Sequence, residues 1–278
     1  MWALWGILSQ LKLLVKKAKI LKTLLIPTIV ISVILPIAAV LTCCCSEDPG
    51  IDVREYVGIT ANANSTLTLY NEGGNNPNLE YSVDYGASWN TYSAAISIDQ
   101  GKNLYLKGNN QTGWSHSGKI SRFVITGDVS ISGNIMGLLD NGAKPGKQGD
   151  ITTISERMCF GSLFYESTAV TSVSKDFLPA TSLADYCYFY MFYGCSNLTT
   201  APELPATTLA KSCYEGMFTY CRSLNSVKIS YTGRVDNAPN RAFTSWVVGV
   251  ASSGTFYYRG SQSAQSFGFP LGWSINPN

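Results

Sequence analysis

The sequence predicts an α+β chain: an N-terminal signal or anchor helix, a small antiparallel β-sandwich domain, then a short stack of helix–strand units. Three observations predict it. An apolar run follows a group of lysines near the start, short apolar–polar alternations fill residues 57–131, and one residue pattern recurs at a fixed offset after residue 150. The expected boundaries are 1–45 for the signal peptide or membrane anchor, 51–139 for the sandwich and 140–150 for a linker with three Gly and Pro145. The repeat stack then spans 151–230, and a C-terminal capping segment 231–278.

The N-terminal segment comes first. Lys12, Lys16, Lys17, Lys19 and Lys22 precede an apolar run from Leu24 to Leu41, and the first 44 residues contain no acid. A basic stretch followed by an apolar one marks a secretory signal. At 18 residues the run also reaches the lower limit for a membrane-spanning helix, with the lysines holding its start in the cytoplasm. Both readings export the remainder. Leu41-Thr42-Cys43-Cys44 resembles a loose bacterial lipobox, and Ser46-Glu47-Asp48 resembles the acidic tract after the lipidated Cys of Bacteroidetes surface lipoproteins. That resemblance implies lipidation at Cys44, with Cys45 the adjacent candidate, and an outer-membrane or cell-surface location. A single N-terminal transmembrane anchor is the alternative.

Beyond the lysine-rich start the chain holds 15 basic and 18 acidic residues. A slightly acidic body gives no electrostatic reason to bind nucleic acid. Charged residues are only 14% of the chain, against roughly 25% in ordinary soluble domains. Ser, Thr, Asn, Gly and Tyr take their place, a mix suited to exported β-rich modules.

The sandwich rests on inward pairs at alternate positions: Leu67/Leu69, Ile96/Ile98, Leu104/Leu106, Phe123/Ile125 and Val129/Ile131. Turn-rich stretches separate them, such as residues 72–77 and 99–101. Ser82-x-Asp84-x-Gly86-x-Ser88-Trp89 resembles the Asp-box, a hairpin turn known from sialidase propellers and other β-proteins. Here Asp84 ties down the turn with Ser82, Gly86 supplies a positive φ and Trp89 packs beneath, a structural role.

The repeat is the most specific signal. Leu178-Pro179-Ala180-Thr181 returns as Leu204-Pro205-Ala206-Thr207, an offset of 26; Cys187, Met191, Phe192, Cys195 and Leu198 return as Cys213, Met217, Phe218, Cys221 and Leu224. A degenerate earlier unit carries Cys159, Leu163, Phe164 and Val170. Within a unit, Ala184, Cys187, Tyr188, Met191, Phe192 and Cys195 fall on one face of a helix. Ser182 with Asp185 resembles its capping box, and Gly194 suits its exit. Pro202 and Pro205 then require an extended piece.

Met-Phe-x-x-Cys-x-x-Leu at 191–198 and 217–224 resembles the BspA-like leucine-rich repeats of bacterial surface proteins, over roughly residues 155–230. The tail, with Gly254-Thr255-Phe256 and Pro270-Leu271-Gly272-Trp273, resembles the segment that closes such repeats. The resemblance implies a leucine-rich-repeat-like stack and a surface-attached, adhesin-like binding module with no chemistry of its own.

The chemical groups point the same way. His116 is the single histidine, and the repeat cysteines fall on the inward face, where a buried thiol is inert packing. The four repeat cysteines at 187, 195, 213 and 221 form either a free-thiol ladder, bridges between turns or, least suitably, a metal site. No catalytic residue, metal or cofactor is expected. Tyr186, Phe189, Tyr190 and Tyr193 lie off the inward face and form the candidate ligand-binding patch, or else pack against the preceding β-domain or the degenerate first unit. The expected function is a non-catalytic surface binding or adhesion protein whose partner is a host protein or glycan, attached to a membrane through its N-terminal anchor. A structural component of a surface appendage or phage-borne accessory protein, and more remotely a glycan-active enzyme, are the alternatives.

Overall fold

In the computed structural model, residues 52–116, 118–140 and 152–277 are described. The signal segment 1–45, with Cys44 and Cys45, lies outside them. Eight strands precede the repeats: β1 (Val57–Ala61), β2 (Ser65–Asn71), β3 (Glu80–Ser82), β4 (Asn90–Thr91), β5 (Ile96–Ile98), β6 (Asn103–Lys107), β7 (Ser121–Thr126) and β8 (Val129–Gly133). β9 (Val170–Val173) belongs to the first repeat. One sheet runs β4-β3-β6-β1-β8-β9 and a second β5-β2-β7. Alternation makes the core between them: Ile96 and Ile98 are buried around exposed Ser97, and Phe123 and Ile125 around exposed Val124.

The helix–strand stack is not what forms. Among the described residues no α-helix occurs, and the helical pieces are 3-10 turns of three or four residues. The segments expected as helices are ribbons of overlapping turns. At residues 184–195 each second N–H closes a tight turn onto the carbonyl three residues back: Cys187 to Ala184, Phe189 to Tyr186, Met191 to Tyr188, Tyr193 to Tyr190 and Cys195 to Phe192. The intervening N–H groups of Tyr186, Tyr188, Tyr190, Phe192 and Gly194 donate instead to carbonyls of the next coil, at Lys211, Cys213, Glu215, Met217 and Thr219. A helix spends its N–H groups on itself; this ribbon shares half of them with its neighbour.

Every fourth ribbon residue is left-handed. The positions are Met158, Ser162 and Glu166; Tyr186, Tyr190 and Gly194; Ser212, Gly216 and Tyr220; and Arg241, Ser245 and Gly249. A period of four places 187/188, 191/192 and 195 inward, the same residues that a helix of period 3.6 would bury over so short a run. The proposed capping pair serves other ends: Ser182 bridges to Thr153, and the Asp185 carboxylate accepts the Lys211 N–H at 3.1 Å. Gly194 is not a helix exit but a left-handed ribbon position at φ 72°, lying against Glu166.

The ribbon recurs a fourth time at residues 239–250, where Ala242, Trp246, Val247 and Val250 stand for the Cys, Met, Phe and Cys of the earlier coils. On the opposite side of the stack run β10 (Ser226–Lys228), β11 (Ser253–Tyr257) and β12 (Gly272–Asn276), paired in parallel. Rings form columns through the core: Phe164, Phe192 and Phe218 with centroids 5.3 and 5.7 Å apart, and Phe160, Tyr188 and Tyr214 at 6.2 and 6.1 Å.

Both ends of the stack are covered. The sandwich stands where a preceding coil would, since the Ser115 and Phe123 N–H groups donate to Cys159 and Leu163 carbonyls at 2.8 Å each. β9 extends the larger sheet by pairing in parallel with β8, and Asp128 accepts from both Asn62 and Thr171 to tie that joint. At the other end Phe267 and Phe269 cover Trp246, whose indole N–H donates to the Phe267 carbonyl at 2.7 Å. Terminal covers of this kind are what a stack of repeats requires.

Gly216 offers a test of sign. In a helix Gly→Ala stabilises by about 1 kcal/mol. In this ribbon Gly216 has φ 64°, and a Cβ there would run into the Tyr190 ring. Gly216→Ala should therefore destabilise by about 2–4 kcal/mol, read as a lower urea midpoint, because a left-handed cost and an overpacking cost add.

Candidate functional site

Side chains at the left-handed positions leave the ribbon on its outer face and lie across the coil that follows. Three of the larger ones have a glycine at the equivalent place in the next coil. Glu166 lies over Gly194, Tyr190 over Gly216 and Tyr220 over Gly249. Sequence reasoning had no means of seeing this, because a left-handed Tyr carries no signature distinct from a helical one.

The four predicted residues come together. Tyr186 meets Phe189 edge-on at 5.8 Å, Phe189 stacks on Tyr190 at 4.1 Å, and Tyr190 meets Tyr193 at 5.3 Å. All four are half-buried. The row continues beyond them, since Tyr193 stacks on Tyr165 of the first coil at 4.8 Å and meets Tyr220 of the third at 5.4 Å. Arg122 on β7 lies over both Tyr165 and Tyr70, which carries the row onto the sandwich. Arg157 sits 4.4 Å from the centre of the Tyr186 ring, with Lys211 on the same ring at 5.7 Å.

Beneath the rings lie polar side chains that the sequence places on the outer face of the third coil. Ser212, Glu215 and Thr219 are buried at 0%, 3% and 5% exposure. Arg241 pairs with Glu215, and the Thr219 hydroxyl donates to the Ser245 carbonyl. The Ser212 hydroxyl, then Lys211 and Arg157, draw the Tyr186 phenol below its ordinary range. Tyr193 thus packs on the first coil through Tyr165, whereas Tyr186 and Tyr190 lie against the coil that follows. The outer ring edges stay open to solvent. The surface is amphipathic, built of Tyr, Phe and Arg side chains, residue types common at binding interfaces.

The Asp-box residues form a closed turn. The Ser82 hydroxyl donates to Asp84 at 2.6 Å and accepts the Gly86 N–H at 2.8 Å, while Asp84 also accepts the Ser88 N–H and hydroxyl at 2.9 and 2.6 Å. These bonds, Ser82 first, hold the Asp84 carboxyl down at about 2. Gly86 has φ 84°, and Trp89 packs edge-on against Tyr56 beneath Lys107.

Cys159, Cys187 and Cys213 form one inward column, Cys195 and Cys221 a second; all five are free and buried. The Cys195 and Cys221 thiols donate to the Phe164 and Phe192 carbonyls at 3.1 and 3.0 Å. Burial pushes Cys159, Cys195 and Cys213 up to about 12, and Cys187 and Cys221 well above their ordinary value. His116 sits in a tight bridge with Lys119. Among the described residues no three His, Cys, Asp or Glu side chains are grouped to hold a metal, and no helix is long and apolar enough to cross a membrane.

No protein-family model, curated protein or solved structure matches the chain.

The thiols give a pH test. Unfolded thiols ionise above about pH 8.5, whereas the buried ones stay protonated. Stability is therefore full below that value and is lost as pH rises toward the folded values, by at most about 1.4 kcal/mol per thiol per pH unit. Urea midpoints should fall between pH 7.5 and 9.5, and Cys195→Ala should flatten the fall. Over that range all five thiols should resist alkylation until urea is added, as read by peptide mass.

Proposed function

We propose that the chain is a non-catalytic surface protein of a bacterium that binds a host protein or glycan through its outer aromatic row, and that a lipid on Cys44 or Cys45 anchors it. The observation that carries this is the continuous row itself. It crosses from the sandwich to the third coil on a scaffold covered at both ends, so the rings are presented in fixed positions. Pre-organised tyrosines lose little entropy on binding. The recurring Met-Phe-x-x-Cys-x-x-Leu, its resemblance to BspA-like surface proteins, and the lysine-rich apolar start with its Cys43-Cys44-Cys45 support the same reading.

Two measurements test it. Full-length protein in detergent, probed on an array of host proteins and glycans, should bind a defined target. The combined Tyr186→Ser, Phe189→Ser, Tyr190→Ser variant should lose that binding by about a thousandfold, the loss expected of two hot-spot side chains at about 2 kcal/mol each. It should keep a cooperative urea transition, because solvent can reach Ser212 and Glu215 once the rings are gone; unchanged binding would end the proposal for this surface. In a bacterial host, radiolabelled palmitate should label the protein, and the Cys44→Ala, Cys45→Ala variant should be unlabelled. Labelling that persists in the variant would place the lipid elsewhere.

A further inference from the structure

A second recognition site lies on the sandwich, away from the aromatic row. β4 is the outer strand of the larger sheet and β5 the outer strand of the smaller one, and residues 92–95 cross between them. A groove of about 380 Å³ follows that crossing, lined by Tyr81, Val83, Asn90, Ser93 and residues 94–97. This volume falls in the range of small-molecule sites.

Its lining follows from strand alternation. Tyr81 lies on the face of β3 opposite buried Ser82, half-buried against the core, and Val83, one residue past the strand, is 61% exposed. Tyr81 and Asn90 are direct cross-strand partners, which sets a phenol ring beside an amide on one face. Ile96 and Ile98 point into the core, so Ser97 between them faces out. The Asp-box bonds hold the Val83 wall in place.

We propose that this groove binds a neutral saccharide. It offers one aromatic ring for the C–H face of a sugar, one amide able to donate and accept, and two serine hydroxyls, with no charged side chain in its lining. Glu80, next to Tyr81 on β3, is paired with Lys107 at 3.2 Å. A peptide adding as a strand fits less well, because β4 offers two residues and β5 three. The site stands independently of the aromatic row.

The test uses full-length protein in detergent, titrated with gluco-, manno-, galacto- and xylo-oligosaccharides and with sialylated and uronic-acid sugars. Saturable binding to at least one neutral series is expected, unaffected by salt. Ala95→Trp, which fills the groove from an exposed position, and Asn90→Ala should each weaken it by about tenfold or more, as loss of one good polar contact does. The triple serine variant of the aromatic row should bind the same sugar unchanged. Asn90→Ala carries the test should the Trp variant fail to fold. The proposal is overturned by no binding to any neutral series, by a preference for acidic sugars, by binding that both groove variants leave intact, or by binding lost in the row variant.

Discussion

The repeat half of this protein depends on how its ribbons divide their N–H groups. Half close tight turns and half reach the next coil, a division that requires a left-handed residue at every fourth position. Each pair of adjacent ribbons shares five such bonds, a net gain of about 5 kcal/mol at roughly 1 kcal/mol each. The left-handed residues other than Gly, three in the first coil and two in each of the others, cost about 2–6 kcal/mol per coil. The backbone terms nearly cancel. The columns of Phe, Tyr and Cys then decide the fold, and a single coil, which has no neighbour to bond, would not hold its shape.

The same constraint explains what could be read from the residues and what could not. The inward set Cys187, Tyr188, Met191, Phe192 and Cys195 is plain in the sequence, because two residues in four are apolar. Over twelve residues a period of four drifts from a period of 3.6 by little more than one residue, so the apolar pattern fits both backbones. The deciding information is the hydrogen bonding between coils, which is non-local. Tyr186, Tyr190 and Tyr220 give no local sign of left-handed geometry; only Gly194, Gly216 and Gly249, each beneath a larger side chain, hint at it. The fourth coil escapes notice because its offset from the third is 29 and its cysteines are replaced by Ala242 and Val250. The four aromatics off the inward face were visible as a group, whereas Tyr165, Tyr220 and Arg122 join them only through the stacking of coils and sandwich.

The outer aromatic row and the stability of the stack share one geometry. Left-handed Tyr186 and Tyr190 lie over Ser212 and Gly216 of the following coil, and Phe189, Tyr193 and Tyr165 join them in a continuous row. The inward thiols, all buried and two of them (Cys195 and Cys221) bonded to carbonyls, serve as packing groups. The sandwich closes one end of the stack and presents its own uncharged groove.

The most direct test is the backbone conformation of the ribbon in solution. NMR couplings and carbon shifts at Tyr186, Tyr190, Ser212 and Tyr220 should report positive φ, with cross-coil contacts linking Tyr188 to Cys213 and Phe192 to Met217. Continuous helical shifts over residues 184–195, with contacts four residues apart and none between coils, would contradict the account.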